Sequence, residues 1–143
     1  DRIANAIGAK KFKNCLIIDF GTATTFDVIK NNTYEGGVIA PGINLSIKNL
    51  SQATALLPLF HLKTHQKSYG KNTIEALNAG FLWGYEGLIN NIIDKIISRS
   101  KIKFKILLTG GYANFFNKMI KKKVIIDQDI TIKGIANVYK ELV

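Results

Sequence analysis

Asp19-Phe20-Gly21-Thr22-Ala23-Thr24-Thr25 puts a carboxylate, a glycine and three hydroxyls into one short segment of a 143-residue chain. Residue types grouped in this way can handle phosphate. Gly21 lets the backbone turn and brings N–H groups close to an anion. Thr22, Thr24 and Thr25 add hydroxyl donors, and Asp19 is suited to hold a cation directly or through water. The same residues would also make an ordinary hairpin with a capping Asp and strand-favouring threonines. Thr109-Gly110-Gly111 is a second such place, where the start of a following helix could face an anion or a nucleotide. A plain strand-to-helix turn is the simpler account of it. Two strand ends of this kind in one sheet outline a cleft at one edge, where α/β folds take their ligands.

The elements that must position these residues are readable from periodicity. Cys15 to Gly21 is a continuous apolar run that fits a strand buried on both faces, and Lys105 to Gly111 repeats the arrangement. Thr24 to Ile29 and Tyr34 to Ile39 read as two further strands, with Asn31-Asn32 as the turn between them. Pro41-Gly42 stops the sheet, and Leu45 to Leu57 has the spacing of an amphipathic helix. Pro58 to Lys71 is polar and reads as a surface loop. A long helix is expected over 72–100, with Asn72 or Thr73 as its N-cap. Ala76, Gly80, Gly84 and Gly87 fall on one narrow face of it. Each internal Gly costs about 1 kcal/mol relative to Ala, so another backbone is expected to approach there, within the fold or across a subunit interface. Ile3, Ala6 and Ile7 place a helix over 1–9. Ala113 to Lys121 and Thr131 to Leu142 read as helices and Val124 to Ile126 as a short strand. The order defines a mixed-sheet α/β domain flanked by helices.

Composition narrows the function further. Hydrophobic residues make up 47% and charged residues 21%, which excludes wholesale disorder. No apolar run reaches the ~20 residues of a membrane span, so no membrane is expected as a partner and a cytoplasmic domain is. One cysteine, Cys15, rules out an internal disulfide framework, and His61 and His65 supply a His-based metal site poorly. Twenty basic against ten acidic residues give a net charge of +10. Arg2 and Arg99 are the only arginines, whereas proteins that read DNA lean on arginine, so nucleic acid is not the expected partner. The Lys121-Lys122-Lys123 triplet ends a helix, where positive charge suits the dipole.

Several segments in order resemble the type III pantothenate kinases. Ile18 to Asp27 is similar to the second phosphate motif of that family. Glu35-Gly36-Gly37-Val38-Ile39-Ala40-Pro41-Gly42-Ile43 resembles its Gly-Gly-x-Ile-x-Pro-Gly signature, and Thr54-Ala55-Leu56-Leu57-Pro58 its Thr-Ala-x-Leu-Pro. Gly70-Lys71-Asn72-Thr73, Gly84-Tyr85-Glu86-Gly87 and Thr109-Gly110-Gly111 complete the series. The resemblance implies a ribonuclease H-like domain of the actin-like ATPase superfamily. It also implies transfer of the γ-phosphate of ATP to the primary hydroxyl of pantothenate, with Mg²⁺ and a monovalent cation (K⁺ or NH₄⁺). Asp1-Arg2 resembles the last half of the family's Gly-x-Asp-Arg motif. By that match Asp1 is the general base, and Asp1, Arg2 and Thr73 touch pantothenate. Asp19 is the monovalent-cation ligand, and Gly21, Thr22, Thr24, Gly110 and Gly111 face ATP. A homodimer through the long helix 72–100 is expected.

One departure stands against these matches. The family's first phosphate motif, Asp-x-Gly-Asn-Thr, is absent, as is the Gly-x before Asp1-Arg2. The chain therefore reads as the C-terminal domain of a two-domain kinase, inactive by itself because half an ATP cleft cannot preorganise the transfer. A regulatory homologue of the same fold that binds nucleic acid is the alternative. A sugar or acetate kinase half is disfavoured by Gly36-Gly37 and Pro41-Gly42.

Overall fold

A computed structural model describes residues 2–143. Its elements are α1 (Arg2–Gly8), β1 (Cys15–Phe20), β2 (Ala23–Lys30), β3 (Thr33–Pro41), α2 (Ile43–Ala53), α3 (Thr73–Ser100), β4 (Lys105–Gly110), α4 (Ala113–Phe116), β5 (Val124–Ile126) and α5 (Ile130–Leu142). The five strands form one sheet in the order β3-β2-β1-β4-β5. β1, β2 and β3 pair antiparallel, whereas β4 runs parallel to β1 and β5 parallel to β4. The hairpin between β2 and β3 turns at Asn31 and Asn32, both left-handed at φ 51° and 60°, the primed turn that matches strand twist.

Alternation along the strands sends side chains into two cores. Leu16, Ile18, Phe26, Ile106 and Leu108 pack with Ile43, Ile47, Tyr85, Ile89, Ile93 and Phe116, so α2, α3 and α4 cover that face. Cys15, Ile17, Ile29 and Leu107 pack with Ala9 and Ile130 on the other face, beneath α1 and α5. Phe116 is fully buried and stacks on Phe20 at a centroid distance of 5.6 Å. The Tyr85 hydroxyl lies 3.2 Å from the carbonyl oxygens of both Pro41 and Gly42 and 2.8 Å from Ser46 Oγ. It thereby ties the middle of α3 to the end of β3 and the start of α2. Gly42 is required there: a Cβ would stand 1.9 Å from the Thr22 carbonyl oxygen.

Two helices are shorter than the periodicity predicts. α2 ends at Ala53 because Thr54 is extended, and its hydroxyl donates to the Leu50 carbonyl at 2.8 Å. The apolar residues after it lie outside the helix, with Leu56 91% exposed. α4 stops at Phe116 and tightens into a 3-10 turn over Asn117–Met119. The buried Asn90 side chain causes this by donating to the Met119 carbonyl at 3.0 Å and accepting from the Lys121 N–H at 2.9 Å. In α3 the cap is Asn72, whose Oδ1 accepts from the Glu75 N–H at 2.9 Å, while Thr73 is the first helical residue. On the small face of α3, Gly70 packs against the backbone at Ala76, but the three glycines of the helix have no such partner within the described residues. A Cβ added at Gly80, Gly84 or Gly87 would meet nothing within 4 Å. No helix among the described residues is long and apolar enough to cross a membrane.

Candidate active site

Parallel pairing of β1 with β4 sets Asp19 beside Thr109 and Phe20 beside Gly110, so the two glycine-bearing strand ends are neighbours. Gly110 is left-handed at φ 89°, and its Cα lies so near Phe20 that a Cβ would sit 2.6 Å from the Phe20 carbonyl oxygen. Gln128 closes this turn from outside. Its Oε1 accepts from the Gly110 N–H at 3.1 Å and its Nε2 donates to the Gly110 carbonyl at 3.0 Å. The Gly111 N–H donates to the Phe20 carbonyl and the Gly21 N–H to the Ala23 carbonyl, each at 3.1 Å. The amides of all three glycines are thus engaged within the fold and do not form the anion cradle that the sequence implies.

What the strand ends present instead is a depression of about 530 Å³. Gly21, Thr22 and Gly111 line it, together with Asn44 and Lys48 of α2 and Tyr112. Thr22 is exposed, and a Cβ at Gly111 would meet open space. The Tyr112 hydroxyl donates to Asn44 Oδ1, and burial raises the phenol above its ordinary value, so it remains a neutral donor. A hydroxyl, an ammonium and an open glycine face are a chemically sensible lining for a phosphate chain. Asn44, Lys48, Tyr112 and Gln128 were not singled out by the sequence. The packing of α2 beside the β1 and β4 ends brings Asn44, Lys48 and Tyr112 to the depression, and Gln128 lies against Gly110.

Asp19 belongs to the opposite face. Its Oδ2 accepts from Asn5 Nδ2 at 3.0 Å, and Asn5 Oδ1 in turn accepts from the Thr131 hydroxyl. Asn5 is fully buried, whereas Asp19 is half-buried. Arg2, three residues before Asn5 on α1, reaches a second carboxylate on this face: its Nε donates to Asp27 Oδ1 at 2.7 Å. Residues three apart share a helix face, so α1 lays one polar stripe across two strand carboxylates. Asp19 pairs with Thr25 and Asp27 with Ile17, which makes the two carboxylates diagonal neighbours across β1 and β2.

The predicted site residues therefore fall in different places. Gly21, Thr22 and Gly111 meet at the depression, with Gly110 beneath them. Asp19 and Arg2 lie on the α1 face. Thr24 is a correction: it is fully buried, and its hydroxyl donates to the Pro41 carbonyl at 3.3 Å, so it serves the sheet and does not reach the depression. Thr73 is exposed at the start of α3, twelve residues and so ~18 Å along the helix from Tyr85. Asp1 lies outside the described residues. No group of three His, Cys, Asp or Glu that could hold a metal ion occurs among the described residues.

A mixed five-stranded sheet in this order, covered by helices on both faces, has the fold of the actin-like ATPase class. A putative 2-dehydro-3-deoxygalactonokinase from Sinorhizobium meliloti superimposes with a TM-score of 0.68 at 11% identity, over 97% of this chain and 58% of that one. A conserved putative Baf family transcriptional activator from Campylobacter jejuni superimposes with a TM-score of 0.71 at 24% identity, over 98% and 64%. Likenesses at these identities show the fold alone. The sequence is more specific, because the family model described as type III pantothenate kinase matches residues 1–95. A type III pantothenate kinase from Pelagibacter ubique is 52% identical over 136 residues, covering 94% of this chain and 55% of the relative. The chain belongs to the type III pantothenate kinase family. It spans about half the length of the curated relatives it matches, 55% of the first two.

Proposed function

We propose that this chain is the C-terminal domain of a two-domain kinase that phosphorylates pantothenate with ATP, the first step of coenzyme A synthesis, in the cytoplasm. The observation that carries this reading is the adjacency of Gly21-Thr22 and Gly110-Gly111 around one depression, in a chain that matches the family model over residues 1–95. Thr22 and Gly111 would face the phosphates of ATP, with Lys48 beside them. Asp1 would accept the proton of the pantothenate hydroxyl, a task that needs only an oriented carboxylate once the phosphoryl group is held in line. Arg2 and Thr73 would contact pantothenate.

Asp19 suits a monovalent cation. Among the described residues only its Oδ2 is hydrogen-bonded, and Oδ1 lies toward Gly21, 3.7 Å from where a Cβ of that residue would stand. Such a cation would offset charge on the nucleotide. Mg²⁺ commonly keeps several waters and relies on substrate phosphates, so the lack of an acidic cluster among the described residues is compatible with it. A homodimer through α3 is supported by the open faces of Gly80, Gly84 and Gly87. Gly80 and Gly84 border an apolar groove of about 470 Å³ that also includes Ala76, Tyr85 and Leu88.

Phosphorus NMR of ATP and pantothenate with Mg²⁺ and K⁺ tests the proposal, comparing this chain with the full-length protein that contains it. Phosphopantothenate made by the full-length protein alone is the expected result. Its absence from both overturns the kinase reading, and its formation by this chain alone overturns the two-domain requirement.

A further inference from the structure

Asp27 is fully buried, and it is held from outside by two side chains that also hold each other. Arg2 Nε donates to Asp27 Oδ1 at 2.7 Å, the Tyr34 hydroxyl donates to the same oxygen at 3.1 Å, and Arg2 Nη2 donates to the Tyr34 hydroxyl. The three groups close a ring of hydrogen bonds. Tyr34 also faces the cation, with Arg2 Cζ 5.8 Å from its ring centroid. Gly37, opposite Asp27 in the β2–β3 pairing, leaves the space this needs: a Cβ there would stand 2.7 Å from Arg2 Nη2. The Asp27 side chain is 0% exposed and that of Arg2 36%, so the anchor is inside and the guanidinium edge opens outward.

A long arginine side chain on the first turn of a helix would ordinarily sample many rotamers and lose that freedom on meeting a ligand. Here two of its nitrogens are already fixed by Asp27 and Tyr34. Burial, with the neighbouring Asp27 carboxylate, raises the Tyr34 phenol above its usual value, so it remains a donor to Asp27. A guanidinium held in this way presents its remaining N–H groups in a set plane, which a flexible ammonium cannot do.

We propose that Asp27 and Tyr34 are positioning residues that preset the Arg2 guanidinium for the phosphoryl acceptor. The proposal rests on the reading of Arg2 as a pantothenate contact. Asp27 and Tyr34 act through Arg2 and touch no substrate themselves. The preset guanidinium strengthens acceptor binding and leaves the ATP side unaffected.

The test is steady-state kinetics of the full-length protein with Tyr34→Phe, Asp27→Asn and Arg2→Lys, alone and combined. Loss of a hydrogen bond to a charged group predicts that Tyr34→Phe raises the KM for pantothenate on the order of tenfold, while the KM for ATP stays within about twofold. Tyr34→Phe added to Arg2→Lys should give no further rise, because the two act as one unit. Tyr34 is partly exposed, so this variant carries the test even where Asp27→Asn does not fold. An unchanged KM for pantothenate in folded Tyr34→Phe, with a raised one in Arg2→Lys, overturns the positioning role alone. An unchanged KM in Arg2→Lys overturns the reading of Arg2, and the positioning role with it. A uniform loss of kcat with both KM values unchanged marks a merely structural role and also overturns the proposal.

Discussion

Asn5 Nδ2 donates to Asp19 Oδ2 at 3.0 Å, joining the first turns of α1 to the last turn-facing residue of β1. Asn5 is itself buried and receives the Thr131 hydroxyl on its other side. Three segments far apart in sequence therefore set the direction of one carboxylate. Asn5→Ala leaves the Thr131 hydroxyl and one Asp19 oxygen without partners, and should lower stability by about 1–3 kcal/mol in urea denaturation. In the full-length protein it should also raise the K⁺ concentration needed for half-maximal activity. Unchanged stability would show that water replaces Asn5 at no cost.

Two glycines in helices should respond to substitution in opposite ways. Gly134 of α5 crosses α1 so closely that a Cβ would lie 1.7 Å from the Ala4 carbonyl oxygen. Gly134→Ala should therefore destabilise by about 1–3 kcal/mol or more, despite the better helix propensity of Ala. Gly84 on α3 meets nothing within 4 Å, so Gly84→Leu should leave the domain folded. Its effect should be on association, read as a fall in solution mass of the full-length protein from dimer to monomer. A dimer that survives Gly84→Leu places the subunit contact elsewhere.

Asp127 and Lys133 give stability a readable pH dependence. Burial by itself would raise the Asp127 carboxyl, but hydrogen bonds from Lys133 Nζ and the Asp129 N–H outweigh it and leave the carboxyl below its ordinary 3.8. A depressed carboxyl stabilises the fold fully above that value and loses the effect as pH falls through the folded value. Lys133 is raised above 10.5, chiefly by its hydrogen bond to Asp127, so its share is present below 10.5 and lost as pH rises further. The difference in Tm between wild type and Lys133→Met should hold from about pH 5 to pH 9 and shrink toward both extremes.

Cys15 should be inert in the folded state. It is fully buried at the start of β1, and burial pushes its thiol up to about 11. A thiol-reactive dye at pH 8 should label it only at the rate of unfolding, and labelling should become fast in denaturant. Prompt labelling under native conditions would mean that the start of β1 opens readily.

The strands and the long helix were legible because their patterns are local. The apolar run of Cys15 to Phe20 and the Asn31-Asn32 turn needed no tertiary information. Helix ends were harder, because Thr54 and Asn90 act through side-chain bonds that periodicity does not register. At the site, Gly21, Thr22 and Gly111 were found from residue type and spacing. Thr24 was misplaced because a threonine reads alike whether its hydroxyl faces solvent or the Pro41 carbonyl. The ring of Arg2, Asp27 and Tyr34 was invisible, since it depends on α1 folding back over a hairpin. Gln128 was missed because its side-chain amide reaches Gly110 only once β5 pairs with β4.

The junction at Pro41-Gly42 has a mechanical meaning. Tyr85 of α3, Thr24 of β2 and the Thr22 carbonyl all bear on these two residues, and no Cβ fits between Gly42 and the turn. Close-packed contacts of this sort have little compliance. The bracket makes the Thr22 turn, the start of α2 and the middle of α3 a single stiff body. The floor of the depression at Thr22 and the middle of α3 at Tyr85 are thereby tied through the same two residues.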